Sequence, residues 1–438
     1  MVLRRSILRK RVYKELDKSL QGVTVRDTKH RCPHGAKTDS AARCQDRRRS
    51  VPRCTGRHHG LAWMALDRPY RETVLPAPTG SYNVGRVNYD WIDAGRLNPY
   101  APVAGTKQEL AVWLWYPAEV VTSSQTAEYL PPYWRSALET HQGFVLSRLL
   151  SRDLSRVKSH SWSDTAVSQQ EATYPVIVLR AGGGALSSDY TSIAEDLASH
   201  GYVVVSIDAL YRTVVTAFPD GRVPYAAAEK AATQAMGVWV EDVKFVLQRL
   251  KELDLNDPSG RFEGRLELQR IGIVGHSLGG ATAAQFCHDD PQCKAGIDID
   301  GIPFGSVVQE SLHQPFFFIL SDLRRESGPE APIVAGKMES IYRKLPAETR
   351  WQAMIDGANH FSFSDQMFTK SPVMIFMFQT IGVTETLKKR RGIEIASSCV
   401  RTFFDVYLKG APTGQLTELP SQYPEVHADF TRAFPKNR

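Results

Sequence analysis

Ser277 sits at the centre of Gly275-His276-Ser277-Leu278-Gly279, between the apolar run Ile271-Gly-Ile-Val274 and the small residues Gly280 to Ala284. A β-prone run, a sharp turn and a helix start in that order put the serine at an apex, where the glycines leave room for a tight backbone. A serine hydroxyl is a poor nucleophile until an imidazole takes its proton, and the imidazole needs a carboxylate to hold its tautomer. Candidates for both follow in the chain. Asp298 and Asp300 lie in Ala295-Gly-Ile-Asp-Ile-Asp300-Gly301 and share a strand face by the period of two. Asp300 is the expected acid, because it stands at the carboxyl end, where active groups gather in a parallel sheet. His360, in the loop after Trp351–Ile355, is the only histidine between His313 and His427 and is the expected general base. His276 is expected to pack against the elbow. Acyl transfer also needs donors for the charge that develops on the carbonyl oxygen. The backbone N–H of Leu278 and that of Gly183, within Arg180-Ala-Gly-Gly-Gly184, are the expected pair. The triple glycine lacks P-loop and GxGxxG spacing, so it is not a nucleotide loop, and no cofactor or metal is expected.

These residues need a sheet to carry them. Leu110–Tyr116, Tyr174–Leu179, Tyr202–Ile207, the elbow strand, Ala295–Asp300, Pro315–Leu320 and Trp351–Ile355 read as strands. Helices are expected at about 190–200 and 226–253, after the elbow, and over most of 367–410. The alternation implies an α/β-hydrolase fold, a mostly parallel central sheet with helices on both faces. Residues 118–172 read as a polar, irregular insertion, either a pocket rim or lid or a surface excursion. The stretch beyond Pro412 reads as a turn-rich surface tail. Trp134, Leu278, Ile302, Pro303 and Phe304 are candidate acyl-pocket residues by position, and Phe316–Phe318 reads as core strand.

The chain has 438 residues, 42% of them hydrophobic and 23% charged, and a formal charge of +7. Residues 1–60 hold 17 Lys/Arg against 5 Asp/Glu, a net of +12, which leaves 7 − 12 = −5 for the rest. A nucleic-acid partner is therefore not expected for the folded domain. Residues 1–71 read as a basic extension outside the catalytic domain, disordered or preceding the true start at, for example, Met64; residues 72–438 read as one domain. A basic amphipathic helix in that extension, serving as a mitochondrial presequence or membrane-surface segment, is the alternative. No apolar stretch approaches membrane-spanning length and no ordinary signal sequence is present, so a soluble, cytoplasmic protein is expected. Of the six cysteines, Cys287, Cys293 and Cys399 lie in the body. Separate thiols are the expectation, a Cys287–Cys293 bridge the alternative for an exported protein. The sequence does not fix the oligomeric state.

The chain resembles the platelet-activating-factor acetylhydrolase family (the plasma and type II group, or group VII phospholipases A2) from about Pro78 to Gly410. Val112-Trp-Leu-Trp-Tyr-Pro117, Ala194-Glu-Asp-Leu-Ala-Ser-His-Gly201, the elbow box, Gly296-Ile-Asp-Ile-Asp300, Asn359-His360-Phe-Ser-Phe-Ser-Asp365 and Phe404–Gly410 carry the resemblance. The family's catalytic serine, aspartate and histidine fall on Ser277, Asp300 and His360. The resemblance implies hydrolysis of a short acyl ester, such as the sn-2 acetyl of a platelet-activating-factor-like phospholipid, without metal and with transient lipid-surface contact. A carboxylesterase or lipase acting on small or polymeric esters is the alternative. One position departs from the family: Ala181 stands where relatives usually carry a histidine in the oxyanion turn.

Overall fold

The computed structural model describes residues 72–142, 150–225, 232–322, 331–371, 374, 387 and 389–428. The basic extension, the first turns expected for the 226–253 helix and the middle of 367–410 lie outside the described residues. Among the described residues the middle of a larger sheet is formed by β1 (Asn83–Leu97), β2 (Lys107–Glu119), β3 (Tyr174–Arg180), β4 (Val203–Ala209), β5 (Leu266–His276), β6 (Cys293–Ile299), β7 (Phe316–Leu320) and β8 (Arg350–Ile355). Their spatial order is β1-β2-β4-β3-β5-β6-β7-β8. β2 runs antiparallel to β1 and β4, and β4 through β8 pair in parallel. This is the α/β-hydrolase architecture.

β3, β4 and β7 are buried at every residue. Their continuous hydrophobicity follows, because both faces of a parallel sheet are covered. Alternate residues feed two cores. Val176, Val178, Val203, Ile273 and Phe318 pack on one face with Val243, Val246 and Leu250 of α3 (Ala232–Leu255). Ile177, Leu179, Val204, Val274 and Phe317 pack on the other with Leu197 of α2 (Thr191–Ser199) and Phe403 and Phe404 of α5 (Lys389–Lys409). The elbow helix α4 spans Leu278–Asp289.

Register sets the stage for chemistry. Arg180 pairs with Gly275, His276 with Ile299, and Ile299 with Ile319. The chain therefore leaves β3, β5, β6 and β7 at one level, which lines up the 180–184 turn, Ser277, Asp300 and Ser321 along the sheet's carboxyl edge.

Three expectations change. The described parts of 118–172 hold regular elements: Thr126–Glu128 pairs with Val157–Ser163, which extends the sheet beyond β1, and α1 spans Pro132–Gln142. Tyr129, Leu130 and Trp134 are buried in the core, so aromatic anchoring rather than a polar loop governs this segment. Beyond Pro412, α6 (Gly414–Gln422) forms with Pro420 inside it, and Val426–His427 adds an antiparallel edge to β8. Cys287 and Cys293 are joined in a disulfide with a Cα separation of 5.0 Å. The short return from the end of α4 to the start of β6 brings the pair together. Cys399 is a buried free thiol whose pKa burial pushes up to about 12.

Candidate active site

Ser277 occupies the sharp turn between β5 and α4 with φ 57° and ψ −122°. A non-glycine residue held there costs about 1–3 kcal/mol and persists only when its surroundings over-determine it. The surroundings do so: a Cβ on Gly275 would lie 2.0 Å from the Gly279 carbonyl oxygen, and one on Gly279 would lie 2.2 Å from that of Arg180. Only glycine permits these backbones to touch. The Ser277 amide donates to the Ile299 carbonyl at 2.8 Å, which pins the apex to β6.

Asp300 also has a positive φ, 54°, just past β6. Its Oδ1 accepts the Ser321 amide at 2.9 Å and the Ser321 hydroxyl at 2.8 Å. Its Oδ2 lies 2.7 Å from His360 Nδ1. Burial by itself raises the Asp300 pKa, but the bonds from His360 and Ser321 outweigh it and hold the carboxyl below its usual range. Asp298 behaves differently. It accepts the Gly301 amide at 2.8 Å, its Oδ2 is buried without a hydrogen-bond partner, and burial drives its pKa well above the carboxylate range. The structure thus brings Asp300, not Asp298, to the histidine.

His360 begins a short 3₁₀ turn, His360–Phe363, capped by the Asn359 side chain on the Phe361 amide at 2.8 Å. Asp365 anchors the same loop, accepting the Ser192 amide at 2.9 Å from α2. Burial pushes the Asp365 pKa up to about 8, which favours the neutral acid below that pH.

His276 does more than pack. Its Nε2 lies 2.9 Å from the His360 carbonyl oxygen, so that nitrogen carries the proton. Its Nδ1 must then accept, and Tyr190 Oη donates to it at 2.8 Å. Tyr190 Oη in turn accepts the Gly182 amide at 3.2 Å. One chain of bonds therefore joins the glycine turn, the elbow and the histidine loop. Burial, then the neighbouring His360, pushes His276 down to about 3, which keeps it neutral and the chain intact. Sequence reasoning missed this relay, since no local signal links Tyr190 to His276 across 86 positions. It also answers Ala181: the turn is braced by a tyrosine from the following 3₁₀ segment.

The glycine turn lies against Ser277. A Cβ on Gly182 would sit 3.3 Å from Ser277 Cβ, and one on Gly183 would sit 2.7 Å from Leu278 Cδ1. The Gly182 amide is taken by Tyr190, whereas those of Gly183 and Leu278 have no acceptor among the described residues. Of the proposed acyl-pocket residues, Ile302 is exposed and Phe304 half-buried, whereas Trp134 is buried against Trp113, with ring centroids 5.7 Å apart. Among the described residues no group of three His, Cys, Asp or Glu side chains is arranged to hold a metal.

Comparison with known proteins agrees with this architecture. The family model described as platelet-activating factor acetylhydrolase, isoform II, matches residues 69–219 and 233–409. A platelet-activating factor acetylhydrolase from Cavia porcellus is 24% identical over 375 residues, covering 76% of this chain and 77% of the relative. Cutinase 2 of Thermobifida cellulosilytica is 25% identical over 195 residues, or 44% of this chain and 63% of the cutinase. The solved structure of a ferulic acid esterase from Streptomyces cinnamoneus superposes with a TM-score of 0.68 at 27% identity, covering 81% of this chain and 99% of the esterase. The chain is a serine-type ester hydrolase of the α/β-hydrolase superfamily and belongs to the platelet-activating factor acetylhydrolase, isoform II, family.

Proposed function

We propose that Ser277, His360 and Asp300 hydrolyse carboxylic esters through an acyl-enzyme. His360 takes the Ser277 Oγ proton as Oγ attacks the ester carbonyl carbon. The carbonyl oxygen becomes an oxyanion that accepts from the Leu278 and Gly183 amides. Collapse breaks the C–O bond to the leaving alcohol, which receives the proton from His360. Water, deprotonated by the same imidazole, then releases the acid and returns the proton to Ser277. Asp300 stabilises the imidazolium without taking its proton. The observation that carries this reading is the 2.7 Å contact between Asp300 and His360 beside a serine held at positive φ.

For substrate, the mixed company of acetylhydrolase, cutinase and ferulic acid esterase relatives favours small or polymeric carboxylic esters. The family match supports a second reading, release of a short sn-2 acyl group from platelet-activating-factor-like phospholipids with transient contact at a lipid surface. Among the described residues no helix is long and apolar enough to cross a membrane. The Cys287–Cys293 bridge supports an oxidising compartment over the cytoplasm expected from sequence. A panel of kcat/KM values decides between the substrate readings. It sets phospholipids with sn-2 groups of increasing length beside simple acetyl and butyryl esters. Comparable or higher values on simple esters support the first reading; a strong preference for the acetyl phospholipid overturns it in favour of the second.

A further inference from the structure

Behind the glycine turn, on the β4 side, lies a small cleft of about 20 Å³ bordered by Gly182 and Gly184, Arg180 of β3, Arg212 and Thr213 after β4, and Trp239 of α3. That volume suits one water or the oxygen end of a larger group. Three side-chain N–H donors at this cleft are buried and idle: Arg180 Nε, Arg212 Nε and Trp239 Nε1. Arg180 is 4% exposed and Trp239 5%. Arg180 spends one donor on the Ile207 carbonyl at 3.2 Å, and the half-buried Arg212 has its Nε without an acceptor among the described residues.

The two guanidinium groups share one indole, with Arg180 Cζ 5.6 Å and Arg212 Cζ 5.3 Å from the Trp239 ring centroid. Burial lowers the Arg180 pKa, Asp242 and Asp208 oppose that, and the Arg212 charge adds to it. The nearby acids are largely engaged. Asp242 Oδ1 takes Arg96 at 2.9 Å and Gln108 at 2.8 Å, and Asp208 takes Trp113 at 2.8 Å and the Ser187 amide at 2.9 Å. Of the four oxygens of these two acids, only Asp242 Oδ2 is left without a partner among the described residues. A buried donor left without an acceptor costs free energy, so three idle donors beside two like charges favour an added acceptor at this cleft.

We propose that this cleft is an oxyanion-binding subsite that takes a carboxylate or phosphate oxygen, one loop's thickness from Ser277. A guanidinium reads such groups through charge-assisted bonds, and Trp239 Nε1–H adds a neutral donor. Resting on the ester-hydrolase reading, the subsite makes the preferred ester one that carries an anion a few bonds from its scissile carbonyl. A free inorganic anion is the other source of the same chemistry.

Two matched ester pairs separate the sources, together with free phosphate. Acetylsalicylate against phenyl acetate puts the charge on the leaving group. The 4-nitrophenyl half-ester of succinate against 4-nitrophenyl butyrate puts it on the acyl group. The readout is the anionic-to-neutral ratio of kcat/KM, compared between wild type and variant, so intrinsic reactivity cancels. Arg212→Gln lowers that ratio about tenfold or more for at least one pair. Trp239→Phe, which keeps the ring and loses the N–H, lowers it about threefold and serves if Arg212→Gln folds poorly. The free anion is tested on Ser277→Ala, whose melting temperature rises in sodium phosphate relative to sodium chloride of equal ionic strength. That rise is lost when Arg212→Gln is added. A phosphate response with charge-blind ratios assigns the subsite to a free anion. Charge-blind ratios with no phosphate response overturn the proposal and leave a water between Arg180 and Asp242. Turnover retained by Ser277→Ala sinks the serine mechanism alone, because the melting arm reads the cleft without catalysis.

Discussion

The two flanks of the elbow differ in how much of their polar capacity is spent within the protein. Toward β6 and β7, Asp300 fills both oxygens with Ser321 and His360, and the relay through Tyr190 and His276 leaves neither imidazole nitrogen of His276 idle. Toward β4, Arg180, Arg212 and Trp239 hold buried donors without acceptors. Apart from Asp298 Oδ2, which is buried without a partner, that first flank is preorganised: its groups are aligned before substrate arrives and need no rearrangement at the moment of reaction. An unsaturated flank, in which each idle donor costs free energy, gains most from a ligand. On the proposed reading the first flank does the chemistry and the second the recognition.

The comparison breaks most visibly at the nucleophile. Ser277→Ala lowers kcat/KM on an activated acetyl ester by roughly 10⁴–10⁶-fold with unchanged far-ultraviolet dichroism; a loss under tenfold moves the nucleophile elsewhere. Next comes the acid. Asp300→Asn, which leaves His360 in the wrong tautomer, costs about 10³–10⁴-fold in kcat, whereas Asp298→Asn costs under about tenfold. Equal losses from the two would erase the distinction that His360 makes between them.

A smaller effect sharpens the claim that the saturated flank works as one unit. Tyr190→Phe removes the hydroxyl shared by Gly182 and His276 and lowers kcat about tenfold with KM little changed. A rise in KM with kcat preserved would mean that Tyr190 shapes a binding wall instead. The smallest effect on activity concerns the Asp365 anchor. Its folded pKa of about 8 lies above the unfolded value near 4, so the folded state holds a proton that the unfolded state has lost. Stability from this group is complete below about pH 4 and drains as pH rises toward 8, by up to about 1.4 kcal/mol per pH unit. Asp365→Asn flattens the fall in melting temperature across that window; an unchanged slope would contradict the assignment.

Much of the proposed acylation side was legible in the chain because such chemistry needs particular residue types at particular strand ends. Gly275-His-Ser-Leu-Gly279 announces the elbow, Asp300 precedes the glycine where β6 turns out, and His360 stands alone in its loop. The recognition side was not legible. Arg180, Arg212 and Trp239 come from three elements and carry no mutual spacing, so only the packed sheet brings them together. Tyr190 was hidden for the same reason. β1 alternates Arg86, Asn88 and Asp90 with apolar residues, and its strand character comes from pairing along nearly all of β2. Pro420 made α6 look like a turn, and six residues of separation could not decide the Cys287–Cys293 bond.

Acyl-enzyme formation at Ser277 is read by quenching the enzyme during turnover of an activated acetyl ester and sequencing its peptides by mass spectrometry. An acetyl group on Ser277, absent from Ser277→Ala and long-lived in His360→Gln acetylated by the same ester, is the predicted result. Acetylation of another residue, or turnover with no acyl-enzyme even when deacylation is slowed, would contradict it.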